Sequence, residues 1–235
     1  MSYLINWDGV GERIYETGTK HGVLYLKDSS QNPEQGIAFT NGVAWNGLTG
    51  VTESPSGADN NDIYADDIKY LSIRGAEDFG GTITCYTYPD EWMDCDGSRQ
   101  PEAGVVVGQQ TRLPFGLSYI STKGNDDKYN DYGFKIHLIY NATASPSERA
   151  YATINDSPEA IEFSYEFTTT PMEITGQTEL KPVSAITIDS TKADAEKLAS
   201  FMQILYGTPA SGATPAVPAK LPTPAQVIAH FSSGN

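Results

Sequence analysis

Turn-forming residues interrupt most of the chain, and they constrain its fold more than any other feature. From about residue 12 to residue 190, glycine, Asn-Gly and Ser-Pro recur every ten or so positions, with short alternating segments between them. In the clearest segment, 161–168, apolar residues alternate strictly with polar ones. This period places the apolar side chains on one face of a strand. The pattern predicts a mainly β protein, an antiparallel β-sandwich or half-barrel.

The alternating segments predict where the strands lie. We expect strands at residues 13–17, 23–26, 36–40, 42–45, 68–74, 81–88, 113–121, 134–140, 148–154, 161–168 and 183–189. Segments 134–140 and 148–154 are separated by Ser-Pro-Ser and are predicted to form a hairpin. Asn41 and Gly42 are predicted to form a type I′ turn, because both central residues of that turn need φ above zero.

One segment, residues 192–206, has the period of an amphipathic helix. Its apolar positions are Leu198, Phe201, Met202 and Leu205. Thr191 is expected to cap its start, Asp194 to favour its first turn, and Gly207 to end it. We expect this helix to flank the sheet.

The composition changes after this helix. Residues 207–224 are rich in proline and alanine with Lys220 as their one charge, which is typical of an extended linker. Residues 223–231 are expected to form a helix that is too short to be stable alone. Its apolar side chains are Val227, Ile228 and Phe231. These residues form either an arm that docks on a neighbour or a disordered extension, and we predict a domain at 1–206 and an extension at 207–235.

Size and charge exclude several classes of protein. A chain of 235 residues can bury a sufficient core without metal or disulfide bonds. Thirty acidic and fifteen basic residues give a net charge of −15, which repels phosphate and excludes high-affinity binding of nucleic acid. No apolar run approaches the roughly 18 residues that span a bilayer. Because the N-terminus lacks the pattern of a secretory signal, we expect synthesis in a cytoplasm, with Cys85 and Cys95 as reduced thiols.

The sequence lacks the spacings that metal binding and catalysis require. The acidic loops at 94–97 and 59–67 do not match a calcium loop, and the two cysteines lack the close partners of a zinc site. His21, His137 and His230 have no nucleophile signature beside them. A hydrolase would need two of these histidines to converge with acids. We predict no catalytic residue, no metal site and no cofactor.

Two segments are candidates for contact surfaces. Residues 86–92 form the densest aromatic cluster, with Tyr86, Tyr88 and Trp92. These side chains suit a contact between subunits, and the alternative is a stacking surface for a sugar. Residues 53–67 are acidic and contain Pro55 and Gly57, so their middle is predicted to be an exposed loop of functional length.

Six segments, taken in order, resemble one family. They are residues 42–59, 63–71, 79–91, 115–119, 137–148 and 155–171. In sequence and spacing they are similar to the major tail tube proteins of long-tailed bacteriophages and prophages of Gram-positive hosts. The resemblance covers roughly residues 10–190 and does not extend to the chain after Gly207.

The resemblance implies a structural virion protein. Family members form a β-sandwich or half-barrel with a flanking helix, and hexameric rings of them stack into a hollow tube through which the genome leaves. Copies of this chain would pair edge to edge around a negative lumen that DNA crosses without binding. The implied partners are further copies, a tail-tip initiator, a tape-measure protein and a tail terminator, with assembly in the host cytoplasm and no membrane.

The resemblance also places the contact between subunits or rings in a long loop after an early strand. In this chain that loop corresponds to residues 53–67, and its candidate contact residues are Glu53, Asp59, Asp62, Tyr64, Asp66 and Asp67. We expect these residues to make stacking contacts instead of lining the lumen. The alternative function is a carbohydrate- or cell-surface-binding β-sandwich that uses the cluster at 86–92.

Overall fold

An eight-stranded antiparallel sheet is the main element of the computed structural model, which describes residues 5, 7–28, 39–154, 156, 159–176, 179–212 and 214–232. In spatial order its strands are β2 (Phe39–Trp45), β1 (Ile14–Lys27), β11 (Phe115–Asn125), β12 (Tyr129–Ala144), β13 (Phe163–Thr169), β8 (Gly80–Cys85) and β3 (Leu48–Glu53), with β14 (Ala185–Asp189) paired to β12. The remaining elements are the short strands β4 (Ser56–Gly57), β5 (Asn60–Ala65), β6 (Ile68–Arg74), β7 (Glu77–Asp78), β9 (Arg99–Glu102) and β10 (Val105–Val107), a 3-10 turn (Asp90–Trp92) and the helices α1 (Met93–Asp96), α2 (Ala195–Tyr206) and α3 (Pro224–Ser232). The prediction of a mainly β, antiparallel fold with a flanking helix is confirmed.

The sheet curls until its last strand comes back towards its middle. β3 pairs with β8 at one end of the strand order, yet Glu53 at its end accepts a hydrogen bond at 2.5 Å from the hydroxyl of Tyr119 on β11. A side-chain contact between strands so far apart in the order requires the sheet to bend around itself. The architecture is therefore a half-barrel built from one sheet.

Each face of the curled sheet buries its own apolar core. Along β11, Leu117 and Tyr119 point to the inside of the curl, while Ser118 and Ile120 point to the face that α2 covers. The inner core includes Leu24, Trp45, Ile83, Trp92, Phe115, Leu117, Tyr165 and Phe167. The outer core includes Tyr25, Ile136, Leu138, Tyr140, Leu198, Phe201 and Leu205. This double burial explains why the central strands are apolar on both faces.

Several predicted boundaries are wrong at β1 and β2. The expected strands 13–17 and 23–26 form one strand with register shifts between Thr17 and Val23. Asn41 has φ of +51° but lies inside β2, at a bulge, and a Cβ on Gly42 would come within 2.8 Å of the Tyr25 ring. The prediction of a turn at Asn41 and Gly42 is therefore wrong. These residues lie within β2, where the backbone passes close to an aromatic ring.

The predicted strands 148–154 and 36–40 differ from the strands of the structure or lie partly outside the described residues. Residues 148–154 form no strand, so the hairpin expected between 134–140 and 148–154 is wrong, and β12 instead pairs with β11, β13 and β14. The non-local partners satisfy the backbone of β12, which leaves a local return strand without a role. Of the predicted strand 36–40, residues 36–38 lie outside the described residues.

Helix α2 begins three residues later than predicted because Asp194, and not Thr191, caps it. The Asp194 carboxylate accepts hydrogen bonds at 3.0 Å from the backbone N–H groups of Glu196 and Lys197. Thr191 instead donates its backbone N–H and its hydroxyl to Asp189. The helix ends before Gly207, whose φ is +73°. A carboxylate at the N-cap satisfies the free N–H groups of the first turn.

The segment predicted as a linker is extended but packs on the rest of the chain. Backbone hydrogen bonds join Gly42 to Ala219 and Phe39 to Leu221, so this segment covers the outer edge of β2. Leu221 is buried in the outer core. The division into a domain at 1–206 and an extension at 207–235 stays a prediction.

An almost buried ion pair joins β11 to the end of β14. The Lys123 ammonium donates to Asp189 at 2.6 Å and to the Thr191 hydroxyl at 2.9 Å. Burial alone would raise the pKa of Asp189, but the hydrogen bonds from Lys123 and Thr191 outweigh it and lower that pKa to about 2. Because this value lies below that of an unfolded aspartate, the pair stabilises the fold above about pH 4 and loses its effect as the pH falls towards 2.

We expect Asp189→Asn to lower the free energy of unfolding at pH 7 by about 1.5–3 kcal/mol, because it leaves the Lys123 ammonium without its charged partner. The difference from wild type should narrow as the pH falls below about 4. Urea unfolding of both proteins between pH 7 and pH 3 measures this difference. A constant difference across that range would contradict the assignment.

Candidate assembly surface

A two-stranded ribbon leaves the half-barrel where β3 ends and β8 begins. Ser54 donates its N–H to the carbonyl of Gly80, β4 pairs with β7, and β5 pairs with β6. The outgoing and returning segments of the chain therefore stay paired as far as the turn at Asp66 and Asp67. We call residues 54–80 the ribbon. At about 3.3 Å per residue it can extend roughly 40 Å from the sheet. The predicted exposed loop is thus one half of a hairpin, because strand 68–74 supplies the partner for residues 60–65.

The ribbon exposes apolar side chains along its length. Tyr64 and Tyr70 are 67% and 68% exposed, and Ile68 is 64% exposed. Ile63 pairs across the ribbon with Leu71, and Ile73 lies on that same face one step away. An isolated two-stranded hairpin is marginally stable in water, and contiguous exposed apolar surface marks sites of protein contact. The ribbon therefore has the properties of a surface that another chain covers.

The acidic residues of the ribbon fall into two groups. Asp62 forms an ion pair with Lys69 at 2.8 Å, and this pair lowers the pKa of Asp62. Asp66 and Asp67 form the turn with φ of +50° and +61° and make no ion pair within the described residues. A left-handed conformation strains aspartate, and asparagine followed by glycine would fit this turn better. The far end of the ribbon therefore has two aspartates with a strained backbone and with no ion pair to another described residue.

The remaining acidic candidates lie nearer the sheet. Asp59 is exposed between β4 and β5, where its carbonyl accepts a hydrogen bond from Gly75. Glu53 lies at the base of the ribbon and is held within the chain, since it accepts from Tyr119 and lies 3.6 Å from the His137 ring nitrogen Nδ1. The interaction with the nearby His137 ring lowers the pKa of Glu53, against the opposing effect of burial. Its contacts make Glu53 an anchor of the ribbon within its own chain, and its contact with a neighbouring copy stays a prediction.

The aromatic cluster at 86–92 is only partly a surface. Tyr86 is 53% exposed and Tyr88 is partly buried against Phe163 and Tyr165. Trp92 is fully buried, with its ring centroid 4.8 Å from that of Trp45. The expectation that Trp92 belongs to a contact or sugar-stacking patch is wrong, because the 3-10 turn and α1 carry it into the inner core.

The C-terminal apolar residues pack on α2 of the same chain. Val227 is buried in the outer core, Ile228 is half-buried, and the Phe231 ring centroid lies 5.3 Å from that of Phe201. Lys197 on α2 donates to the carbonyl of Phe231 at 3.0 Å. A disordered extension does not describe residues 214–232, and docking of this segment on a neighbour stays a proposal.

The histidines lie in different places. His21 packs edge-on against Tyr206, His230 contacts Ser200 and Phe201, and His137 stacks on Tyr119 with its Nε2 2.8 Å from the Ser121 hydroxyl. Within the described ranges, no hydrogen bond or ring contact joins two histidines. In this part of the chain there is also no cluster of three metal-ligating side chains and no helix long and apolar enough to cross a membrane.

The sequence reasoning missed half of the exposed surface. The sequence predicts the strand at 68–74 but not the exposure of its apolar side chains. Tyr70 and Ile73 are exposed. The acidic segment that precedes β6 is the signal that predicts this exposure. Acidic residues do not form the apolar surface against which the side chains of β6 would have to be buried.

Comparison with known proteins adds one family. The model of a family described as phage tail tube protein matches residues 16–209, which is most of the chain. No curated protein matches by sequence. Among solved structures, one chain of the sheath–tube complex of an extracellular contractile injection system in its extended state is 12% identical. The match covers 72% of this chain and 88% of that one, and its TM-score of 0.33 is too low to support an argument.

Proposed function

Because this chain belongs to the phage tail tube protein family, a family of structural virion components, we propose that its copies associate head to tail into rings that stack as a hollow tube. The ribbon carries this proposal. It extends away from a folded half-barrel, exposes Tyr64, Ile68 and Tyr70, and makes few contacts with the rest of its own chain. A neighbouring copy that covers it would bury this surface and stabilise the hairpin.

The edges of the sheet support the same proposal. On β2, the C-terminal segment already covers the outer edge through Ala219 and Leu221. On β14, the edge away from β12 pairs with no strand within the described residues. An open edge of this kind pairs readily with another chain. In the proposed ring, β14 therefore meets the sheet of the neighbouring copy.

Charge gives the proposed tube its passive character. Each copy carries a net charge of −15. A ring of six such copies, with part of this charge facing inwards, repels DNA phosphates, so the genome slides through without binding. The proposed tube belongs to a long-tailed phage, is assembled in the host cytoplasm on a tail-tip initiator, and meets a tape-measure protein and a tail terminator. It needs no cofactor and no membrane, and the subunit is not an enzyme.

The alternative of a carbohydrate-binding module has no support from the family match, and Trp92 is not at the surface. The two functions differ in a direct test. Negative-stain electron microscopy of the purified protein at increasing concentration, with light scattering, should show rings or hollow tubes. A protein that stays monomeric at all concentrations, and also in the presence of tail-tip seeds, would contradict the proposed function.

A further inference from the structure

A groove at the start of β3, the opposite end of that strand from the ribbon, combines an apolar floor with a basic rim. It has a volume of about 470 Å³ and lies between the bulge of β1, the turn that joins β2 to β3, and the end of α2. Val23, Trp45 and Leu48 contribute its apolar lining, and Lys20 and His21 stand exposed at its rim. We call it the Lys20 groove.

The two basic side chains at the rim have no hydrogen bond or ion pair with the described residues. Lys20 makes no ion pair and His21 no hydrogen bond with any described residue. Tyr206 also lines the groove, but its hydroxyl is buried, so the exposed basic groups of the groove are Lys20 and His21.

A strained bulge in β1 places Lys20 and His21 at the rim of the groove. His21 has φ of +55°, and the pairing of β1 with β11 shifts register between Lys20 and Val23. A left-handed conformation is uncommon for histidine and costs free energy. Bulges of this kind redirect side chains at the edges of sheets, and here the bulge places two basic side chains on one rim.

Two other grooves are less suited to an acidic ligand. The groove between the β4–β7 part of the ribbon and residues 171–185 contains Glu77 and Glu173 beside its basic residues. The groove between α2 and α3 contains Lys220 and His230, but His230 is already hydrogen-bonded to the Lys197 carbonyl at 2.8 Å. The Lys20 groove alone among the three has a basic rim without an acidic residue and without an existing hydrogen bond to its histidine.

We propose that the Lys20 groove receives the ribbon tip of a second copy of this chain, with Asp66 and Asp67 against Lys20 and His21. The inference rests on the proposed function, which supplies the stacking that brings copies together. Tyr64 and Ile68, which flank the tip, then cover the apolar floor of the groove. Charge complementarity selects this occupant, because the tip holds two carboxylates that lack ion pairs.

The positions of tip and groove make the contact one between copies. Leu48 lines the groove at the start of β3, whereas the ribbon leaves from the end of that strand and continues to Asp66. The tip of one copy is thus at the far end of its ribbon from its own groove. Two different surfaces that complement each other form a head-to-tail contact, which propagates in one direction as a stack.

Charge reversal tests the contact. Lys20→Glu should raise the concentration needed for tube assembly by roughly tenfold or more, as should Asp66→Asn combined with Asp67→Gly. The second variant keeps a turn that favours positive φ, so it removes charge without unfolding the hairpin. Combining Lys20→Glu with Asp67→Lys in one chain should restore part of the assembly, because positions 20 and 67 then have opposite charges again. Lys220→Glu, in the groove between α2 and α3, is the matched control and should assemble as wild type does.

A crosslink reads the contact even at low yields of tube. In a chain with Lys20→Cys and Asp67→Cys, oxidation should give a ladder of covalent multimers, whereas Lys128→Cys with Asp67→Cys should not. The native Cys85 and Cys95 are buried and do not interfere. Normal assembly of Lys20→Glu together with absence of the ladder would overturn the groove assignment. If removal of the ribbon still abolished tubes in that case, the proposed function would stand.

Discussion

Replacing residues 58–76 by Asn-Gly should abolish tube formation and leave the subunit folded. The replacement keeps Gly57 opposite Glu77, the last pair of the β4–β7 ladder, and closes it with a two-residue turn. No residue of the removed segment belongs to either core. The free energy of unfolding should therefore change by less than about 1 kcal/mol. Electron microscopy shows whether tubes form, and thermal unfolding followed by circular dichroism measures whether the subunit is folded.

Matched substitutions separate the ribbon from exposed aromatic residues in general. Tyr64→Ser with Tyr70→Ser removes two large side chains from the ribbon and should weaken assembly. Tyr151→Ser removes one with comparable exposure, 74%, from outside the ribbon and should have no effect. A truncated protein that still forms normal tubes would show that the ribbon is not an assembly surface, whatever the fate of the Lys20 groove.

The sequence could predict those strands whose pattern reflects burial. In segment 161–168 the alternation is strict because one face of β13 meets the inner core at Tyr165 and Phe167 while the other is exposed. Helix α2 was predictable for the same reason, since Leu198, Phe201 and Leu205 face one core. In both elements a single burial surface imposes a single period on the sequence.

The ribbon was only half predictable, for a physical reason. Residues 60–65 combine polar and acidic side chains with Ile63 and Tyr64, and all of them except Asp62 are exposed. They form a strand because β6 pairs with their backbone, and backbone pairing leaves no pattern in the side chains. β6 has the apolar composition of a buried strand, although all of its residues are exposed. In the proposed tube, another copy buries it.

Closure of the sheet could not be predicted at all. Glu53 and Tyr119 are 66 positions apart in sequence, and each looks like an ordinary surface residue of its own strand. Their contact depends on how far an eight-stranded sheet curls, which is a sum of small twists over all its strands. The same curl determines which aromatic residues meet inside it.

Trp92 shows this limit most clearly. It lies in a short turn with no periodicity, between exposed Asp90 and Glu91 and the buried Cys95. From sequence, its neighbours Tyr86 and Tyr88 suggest a surface patch. In the structure its ring contacts Trp45, Phe115 and Tyr165, with centroid separations of 4.8, 5.0 and 5.1 Å.

Trp92→Ala should therefore be among the most damaging single substitutions in the chain. It removes the largest fully buried side chain from the centre of the inner core, at an expected cost of about 3–5 kcal/mol. Since total stability is on the order of 5–15 kcal/mol, the melting temperature should fall by roughly 10 °C or more. Thermal and urea unfolding measure the loss.

Trp92→Phe and Tyr86→Ala complete the test of Trp92. The indole N–H of Trp92 is buried without a partner among the described residues, so phenylalanine loses some packing but also removes an unsatisfied donor. Its net cost should stay near about 1 kcal/mol. Tyr86→Ala, at a half-exposed position, should cost less than about 0.5 kcal/mol. If Trp92→Ala were instead as harmless as Tyr86→Ala, Trp92 would be a surface residue after all, and the sugar-stacking alternative would regain its main side chain.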